Sequence, residues 1–218
     1  MQVGSSETKN ELRTVIFDYG EVLCHRPTIA DFERMATTLG ITLDSFSKHW
    51  EQSRPPYDRG DLSAEAYWLK FARDTHTSVN AKQIEELGRW EIEMWTEVNP
   101  SMVRWFLDVV SAGMKTGLLS NMPADLAAHV QENFDWMDKF TLRIFSAHVR
   151  LVKPDAAIYE HILHALDAKP EETLFVDDRE ANIKAASALG MRAIQFQSVA
   201  QLRNDLRRLD FPVLPASD

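Results

Sequence analysis

Short apolar runs recur along the chain and, from residue 99 onward, alternate with segments of helical periodicity. Runs that are rich in β-branched and aromatic residues are typical of buried strands. They predict strands at residues 15–17, 116–121, 142–146, 173–178 and 192–196. Apolar side chains three and four positions apart predict helices after these strands, with Asn99 and Ser198 as N-caps. Strands that alternate with helices indicate βαβ units and therefore an α/β fold with a parallel sheet.

Residues 27–97, between the first two predicted strands, carry only helical periodicity. Thr28 is the predicted N-cap of the first helix in this stretch, and Gly40 follows its predicted end. The proline-rich segment 54–62 predicts a break in the second helix and a loop. The last helix of the stretch is predicted to include Trp95. We therefore predict an all-helical unit inserted after the first strand.

Composition and charge narrow the class of protein. The 218 residues are 44% hydrophobic, which is enough for a sizeable core. A net charge of −9 disfavours a nucleic-acid surface, because such a surface needs clustered lysine and arginine. No apolar run approaches the roughly 20 residues that span a bilayer, and residues 1–11 are predicted to form a loose tail without the apolar centre of a signal peptide. The single Cys24 agrees with a reducing compartment, so we predict a soluble cytoplasmic protein that binds neither membrane nor nucleic acid.

Polar side chains follow several of the predicted strands at the point where each strand ends. These side chains are Asp18, Ser120, Asn121, Lys153, Asp177 and Asp178. Because the carboxyl ends of neighbouring parallel strands meet at one edge of a sheet, we expect them to converge on one crevice. Carboxylates are preferred ligands of Mg²⁺, a lysine and a serine hydroxyl orient a phosphoryl group, and an aspartate is a known nucleophile toward phosphorus. For Asp18 taken alone, a solvated turn completed by Gly20 is the competing interpretation.

Four segments, in this order along the chain, resemble the motifs of the haloacid dehalogenase-like (HAD) hydrolase superfamily. They are VIFDYGEVL at 15–23, LLSN at 118–121, Lys153-Pro154, and FVDDREANIKAASALGM at 175–191. The resemblance implies a Rossmann-like core with helices on both faces of the parallel sheet, formed by residues 12–26 and 98–218. It implies that residues 27–97 form a small helical cap.

The same resemblance implies a role for each site residue. Asp18 is expected to be the nucleophile, and Lys153 is expected to stabilise the charge around it. The implied phosphate contacts are Ser120 and Asn121. The implied protein ligands of Mg²⁺ are Asp18, the main-chain carbonyl of Gly20, and Asp178. The implied supporting residues are Asp177 and Asn182.

Gly20 departs from the superfamily pattern, because most of its phosphatases carry a second aspartate there as the general acid. Loss of a general acid typically costs about 10²–10⁴ in rate. The glycine variant resembles sugar-phosphate phosphatases such as bacterial glucose-1-phosphatases and, more distantly, the phosphatase domain of soluble epoxide hydrolases. The anomeric leaving group of a sugar 1-phosphate is comparatively acidic, which lessens the need for that acid. Glu21 is an alternative donor, although adjacent side chains of an extended segment point to opposite sides, which favours a solvent-facing turn residue.

The leading hypothesis is a Mg²⁺-dependent phosphatase that acts on a small phosphorylated metabolite. Tyr57 and Arg59, in the predicted proline-rich loop, are candidate lid residues that select the substrate, and a plain connection between helices is the alternative for that loop. A second hypothesis is hydrolysis of 2-haloacids by the same aspartate without a metal. A third is a phosphate-binding protein that has lost catalysis together with the general acid.

Overall fold

A parallel sheet forms the centre of the molecule. The computed structural model describes residues 11–216, so all but Glu11 of the predicted tail lies outside the described residues. The strands are β1 (Thr14–Phe17), β2 (Lys115–Ser120), β3 (Leu142–Phe145), β4 (Thr173–Asp177) and β5 (Arg192–Gln195). Their order in the sheet is β3-β2-β1-β4-β5, and every neighbouring pair is parallel. The predicted α/β fold is therefore confirmed.

Helices surround the sheet and fill the stretch between β1 and β2. They are α1 (Ile29–Leu39), α2 (Leu43–Asp58), α3 (Ala64–Asp74), α4 (Ala81–Glu93), α5 (Pro100–Ser111), α6 (Ala124–Asn133), α7 (Ser146–Val149), α8 (Ala156–Ala165), α9 (Glu180–Ala188) and α10 (Val199–Arg208). Within residues 11–216, none of them combines the length and the apolar character that crossing a membrane requires.

Strand β1 shows that the sheet is covered on both faces. Val15 and Phe17 belong to an apolar cluster formed with α5, α6 and α10, whereas Ile16 belongs to a second cluster formed with α8 and α9. Successive side chains of a strand point to opposite faces, and a strand that is buried on both faces is apolar throughout. This is why the run of three apolar residues in β1 predicted its burial correctly.

Local signals fix several helix ends where the sequence predicted them. Thr28 caps α1 in a capping box with Asp31, and Gly40 ends that helix in the left-handed conformation with φ 68°. Asn99 and Ser198 cap α5 and α10 through their side chains. The sequence therefore identified these helix ends correctly.

Helices α1–α4, which we call the helical insertion, have an apolar cluster of their own. Its buried members include Met35, Phe46, Trp68, Phe71 and Leu87. Trp95 packs against this cluster and also against the cluster on the sheet, so it lies where the two meet. The assignment of residues 27–97 as a cap domain stays a prediction.

The predicted break at residues 54–62 begins later than expected, because α2 continues through both prolines to Asp58 and only residues 59–62 leave the helix. Both prolines lie in the last turn, and the carbonyl of Pro55 still accepts the N–H of Arg59 at 3.0 Å. Arg54 pairs with Asp58 within the last turn and with Glu91 of α4 outside it. The helix thus passes two residues that usually end one, and the contact with α4 stabilises its last turn.

Two further boundaries differ from the prediction. Helix α4 ends at Glu93, so Trp95 lies beyond it, where its carbonyl accepts the hydroxyl of Tyr19 at 2.7 Å. Strand β3 ends at Phe145, and Ser146 begins the short helix α7 instead of closing the strand. In both cases the residue at the boundary makes a hydrogen bond to a distant segment, Trp95 with Tyr19 and Ser146 with Asp58.

Candidate active site

Three carboxylates from two neighbouring strand ends meet at the carboxyl edge of the sheet. Asp18 directly follows β1, and its N–H donates to the carbonyl of Val176 in β4 at 2.9 Å. Asp177 is the last residue of β4, and Asp178 follows it. Asp18, Asp177 and Asp178 each offer an oxygen atom, and these oxygens all lie within 4.8 Å of one another. The parallel pairing of β1 and β4 thus brings together residues that are distant in sequence.

Lys153 lies between two of these carboxylates. Its Nζ is 2.9 Å from Oδ1 of Asp18 and 2.6 Å from Oδ2 of Asp177, and its side chain is only 1% exposed. Asn121 fixes the lysine backbone with two hydrogen bonds of 2.9 Å, donating through Nδ2 to the Lys153 carbonyl and accepting the Lys153 N–H through Oδ1. The end of β2 therefore positions the lysine that contacts the residue after β1.

Asp177 is held by hydrogen bonds on both of its oxygens. Asn182 donates through Nδ2 to each oxygen at 2.9 Å, and the N–H of Arg179 donates to Oδ1 at 2.8 Å. Asn182 lies in the first turn of α9, where the hydroxyl of Tyr159 donates to its carbonyl at 3.2 Å. With Lys153 on Oδ2 as well, Asp177 is suited to hold the lysine in place rather than to react.

Burial dominates the protonation of the site. It raises the pKa of Asp18 to about 7, against the lowering effect of Lys153 and with added repulsion from Asp177 and Asp178. Burial also raises the pKa of Asp178 to about 6, and Asp177 and Glu21 add to the effect. Burial by itself would lower the pKa of Lys153, but its two carboxylate partners raise it. One buried cation thus faces three carboxylates, and further positive charge would stabilise their ionised forms.

The donor set fits a hard divalent cation. Carboxylate oxygens are the ligands that Mg²⁺ prefers. Oδ1 of Asp18 contacts Lys153 and accepts the N–H of Tyr19 at 2.7 Å, which leaves Oδ2 for another partner. Asp178 is half-buried, whereas Asp177 is fully buried and already saturated. Asp18 and Asp178 are therefore the side chains best placed to bind a metal.

The predicted phosphate contacts Ser120 and Asn121 lie at the same edge of the sheet. Ser120 ends β2, which is paired with β1, and is 3% exposed. The side chain of Asn121 is engaged with the backbone of Lys153. Their contact with phosphate, like the metal contact of the Gly20 carbonyl, stays a prediction.

The predicted lid residues have different surroundings from those expected. Tyr57 lies inside α2 rather than on a loop, is 1% exposed, and stacks on Tyr67 with ring centroids 4.3 Å apart. Its hydroxyl donates to the carboxylate of Asp125 at the start of α6, at 3.0 Å. Arg59 is the C-cap residue of α2, and its exposed side chain pairs with Asp61. Tyr57 thus joins the helical insertion to the sheet domain, and substrate contact by either residue stays a prediction.

The end of α2 rests on the loop after β2 and on α7, through residues that sequence reasoning did not single out. Ser146 accepts the N–H of Met122 at 3.0 Å and donates to the carbonyl of Asp58. Gly60 lies so close to α7 that a Cβ on Gly60 would be 2.6 Å from the carbonyl oxygen of Ala147. We call these five residues the α2 docking contact. A serine after a strand gives no sign of such partners, so the sequence alone does not identify the contact.

Gly20 and Glu21 follow the predicted nucleophile in an unusual turn. A Cβ on Gly20 would lie 3.5 Å from Cζ3 of Trp95, which is an ordinary van der Waals contact with the indole ring. Glu21 adopts φ 55°, and its Oε1 lies 3.6 Å from Nε of Arg26. The sequence predicts Trp95 only as part of a helix and does not indicate its contact with Gly20.

Comparison with known proteins agrees with this arrangement. A family model described as haloacid dehalogenase-like hydrolase matches residues 12–190. The sesquiterpene phosphatase astK of Aspergillus oryzae is 26% identical over 198 residues, which span 90% of this chain and 96% of that protein. Drimenol cyclase drtB of Aspergillus calidoustus is 26% identical over 205 residues, which span 91% of this chain but only 36% of that protein.

One solved structure shares the fold over most of both chains. It is the HAD family enzyme bt-2542 of Bacteroides thetaiotaomicron, in complex with magnesium and inorganic phosphate. The TM-score is 0.66 at 19% sequence identity, with 85% of this chain and 94% of that chain covered. At this level of identity the likeness concerns the fold alone.

Proposed function

Because the chain belongs to the haloacid dehalogenase-like hydrolase family, whose model matches residues 12–190, we propose that it is a Mg²⁺-dependent phosphatase. Its substrate is a small phosphorylated metabolite, and the reaction passes through an aspartyl phosphate on Asp18. The observation that carries the proposal is the contact of Lys153 Nζ with Oδ1 of Asp18 at 2.9 Å, inside a group of three carboxylates. A buried carboxylate beside a fixed cation is suited to nucleophilic attack on a phosphoryl group, whose negative charge the cation offsets.

In this mechanism Asp18 attacks phosphorus in line with the leaving oxygen. Lys153 offsets the negative charge that gathers on the nucleophile and the phosphoryl oxygens. Ser120 and Asn121 bind the phosphoryl group, and water then attacks the aspartyl phosphate to release phosphate and restore Asp18. Asp18, Asp178 and the carbonyl of Gly20 would hold Mg²⁺, which would supply further positive charge to offset the negative charge of the phosphoryl group.

The supporting residues act by fixing the lysine. Asp177 is held by Asn182 and by the N–H of Arg179, and it contacts Lys153 at 2.6 Å. Asn121 holds the lysine backbone from the other side. A charged group that is held before substrate binds needs little reorganisation during the reaction.

The helical insertion, residues 27–97, acts in this proposal as the cap that covers the site. Asp18 is 6% exposed and Lys153 is 5% exposed, which supports a site sheltered from bulk water. The α2 docking contact joins the insertion to the loop after β2 and to α7. Tyr57 and Arg59, near this contact, are the proposed determinants of substrate selection.

The carboxylate group favours phosphate ester hydrolysis over hydrolysis of 2-haloacids. Attack on a carbon–halogen bond needs no metal, and Asp178 would then add only negative charge next to the nucleophile. The intact contact between Asp18 and Lys153 likewise favours a working catalyst over a binding protein that has lost catalysis.

Purified protein assayed for phosphate release from a panel of phosphate esters tests the proposal. We expect hydrolysis that requires Mg²⁺, that is abolished by EDTA, and that Asp18→Asn lowers on the order of 10³-fold or more. Asp44→Asn, at an exposed aspartate in the first turn of α2, is the control for substitution of a surface carboxylate. Activity that survives Asp18→Asn or EDTA would exclude the proposed mechanism, and halide release from 2-haloacids without Mg²⁺ would replace it with the alternative.

A further inference from the structure

One buried hydroxyl group, that of Ser146, lies between the helical insertion and the loop that follows β2. Ser146 comes directly after β3 and is fully buried. In the sheet, Ser120 at the end of β2 pairs with Phe145 at the end of β3. The parallel pairing of these two strands therefore brings Ser146 beside the residues that follow Ser120, among them the predicted phosphate ligand Asn121.

On the side of the helical insertion, the hydroxyl of Ser146 binds the end of α2. The last four carbonyls of an α-helix have no partner within the helix. In α2 the carbonyls of residues 55–57 accept backbone N–H groups of residues 59–61, and the carbonyl of Asp58 accepts the hydroxyl of Ser146. Ser146 thus completes the hydrogen bonds at the end of this helix.

On the side of the sheet, the same hydroxyl oxygen accepts the N–H of Met122 at 3.0 Å. That N–H belongs to the planar peptide unit that begins at the carbonyl carbon of Asn121, so the contact fixes the backbone that carries the Asn121 side chain. A hydroxyl has one proton and two accepting positions. Its proton has the carbonyl of Asp58 as the nearer acceptor, since the carbonyl of Met122 lies 3.4 Å away. Ser146 therefore binds the insertion and the loop at the same time.

Asn121 connects this loop to the lysine of the site. Its side chain makes two hydrogen bonds of 2.9 Å, with the N–H and the carbonyl of Lys153. Nζ of Lys153 lies 2.9 Å from Oδ1 of Asp18. A shift of the Asn121 backbone therefore moves the lysine relative to the predicted nucleophile, and a misplacement of about 1 Å can cost on the order of 10²-fold in rate.

We propose that Ser146 is a positioning residue, through which the docking of α2 fixes Asn121 and, through Asn121, the ammonium group of Lys153. The proposal rests on the proposed phosphatase function, and it adds a residue that lies outside the four sequence motifs. It makes the arrangement of the site depend on the contact between the helical insertion and the sheet domain. A packing role alone would make Ser146 contribute to stability without affecting turnover.

Steady-state hydrolysis of para-nitrophenyl phosphate with Mg²⁺ tests the proposal. We expect Ser146→Ala to lower kcat by about 10–100-fold and to change KM by less than about threefold, because the variant displaces the charge that offsets the transition state. Thr173→Val is the matched control. Thr173 is equally buried at the opposite edge of the sheet, where its hydroxyl donates to the carbonyl of Lys169 at 2.8 Å. We expect its loss to leave kcat near the wild-type value.

A double-mutant cycle with Asn121 distinguishes positioning from packing. If Ser146 acts through Asn121, its hydroxyl affects kcat only while the Asn121 side chain holds the lysine. We therefore expect Ser146→Ala to lower the kcat of the Asn121→Ala variant by less than about threefold, so that the two losses do not multiply. Two independent structural defects would instead multiply their effects on kcat.

Gly60→Ala disturbs the same contact from the side of the insertion and leaves Ser146 in place. A Cβ on Gly60 would lie 2.6 Å from the carbonyl oxygen of Ala147. We expect kcat to fall in this variant as well, and the loss to shrink below about threefold when Asn121→Ala is present. Circular dichroism shows which variants are folded, and Gly60→Ala carries the test if Ser146→Ala is not.

Three outcomes overturn the proposal. They are a kcat that Ser146→Ala lowers no more than Thr173→Val does, a rise in KM with unchanged kcat, and losses from Ser146→Ala and Asn121→Ala that multiply. In each of them the wild-type chain still hydrolyses the ester with Asp18 and Mg²⁺, so the proposed phosphatase function stands. A wild-type chain that hydrolyses no phosphate ester refutes that function instead, and the positioning role falls with it.

Discussion

The carboxylates of the site differ in how many of their oxygens already accept hydrogen bonds or contact Lys153. In Asp177 both oxygens are engaged, by Lys153, Asn182 and the N–H of Arg179. Among the described residues, Asp18 has such contacts on only one oxygen. Two aspartates of the same strand-end pattern thus have different hydrogen-bonding neighbours.

Asn182 should affect turnover more than binding. We expect Asn182→Ala to lower kcat by about 10–100-fold, because residues that orient a charged group typically have effects of this size. KM should change little, because Asn182 contacts Asp177 and no predicted substrate ligand. Steady-state kinetics check this, with Asn204→Ala on α10 as the control. A rise in KM with unchanged kcat would contradict the positioning role.

Lys153 should be required for stability as well as for activity. Lys153→Met leaves Asp18 and Asp177 buried without their cation, which typically costs about 3–5 kcal/mol of unfolding free energy. The exposed Lys169 pairs with Glu172 at 3.1 Å, and Lys169→Met is expected to cost no more than about 1 kcal/mol. Urea denaturation in the absence of Mg²⁺ measures both variants. Equal losses would mean that the lysine is not the compensating charge.

At the scale of elements, the junction of α2 with the sheet domain depends on a glycine. Gly60 has φ 78°, and a Cβ there would lie 2.6 Å from the carbonyl oxygen of Ala147. Gly40 has φ 68° but nothing within 4 Å of the Cβ position, so it shares the backbone conformation without the close approach. The two glycines therefore separate the effect of the docking contact from the effect of the dihedral angle.

We expect Gly60→Ala to destabilise the chain by at least about 1 kcal/mol more than Gly40→Ala, because both pay the left-handed strain but only the first has a steric clash. Urea denaturation of the two variants measures the difference. Phosphatase activity should fall with Gly60→Ala and stay near the wild-type value with Gly40→Ala. Equal destabilisation by Gly60→Ala and Gly40→Ala would show that the α2 docking contact accommodates a Cβ on Gly60 without loss of stability.

Elements whose bounds depend on residues nearby in sequence could be predicted, and those whose bounds depend on tertiary contacts could not. The run of apolar residues in β1 and the cap at Thr28 depend on neighbours in sequence, and the structure agrees with both. The continuation of α2 through Pro55 could not be predicted, because Glu91 of another helix, α4, pairs with Arg54 in α2. The rule that polar residues at the ends of parallel strands converge placed Asp18, Asp177 and Asp178 at one edge of the sheet. The contact of Trp95 with Gly20 depends on packing between two apolar clusters, and no residue pattern near either position indicates it.

At the scale of the whole molecule, two groups of buried carboxylates each surround one basic side chain. The first is the site group around Lys153. In the second, within the helical insertion, Arg54 contacts Asp58 and Glu91, and Asp125 of α6 adds further negative charge. Both groups hold more acid than base, so each needs additional positive charge.

The two groups differ in how that charge can be supplied. Within the described residues 11–216, only Asp18, Asp177 and Asp178 bring three ligand oxygens together as a metal requires. Glu91 is 1% exposed, and its Oε2 has no hydrogen-bond partner in the described part of the chain. A proton is therefore the charge that suits the second group, whereas a divalent cation suits the first.

Protonation of Glu91 should make the stability of the chain depend on pH. Burial raises the pKa of Glu91 from 4.5 to about 7 in the folded state, against the lowering effect of Arg54. Between pH 4.5 and about 7 the folded chain keeps a proton on Glu91 that the unfolded chain releases. The stability that Glu91 contributes is therefore complete below pH 4.5 and is lost as the pH rises through 7. We expect the wild-type unfolding free energy to fall between about pH 5.5 and about pH 8 by about 1–3 kcal/mol more than that of Glu91→Gln. Urea denaturation at the two pH values measures this difference. Glu85→Gln, an exposed change on the same helix α4, is the control and should keep the wild-type dependence of stability on pH. If Glu91→Gln also keeps that dependence, Glu91 stays ionised beside Arg54 across the whole pH range, and the prediction is wrong.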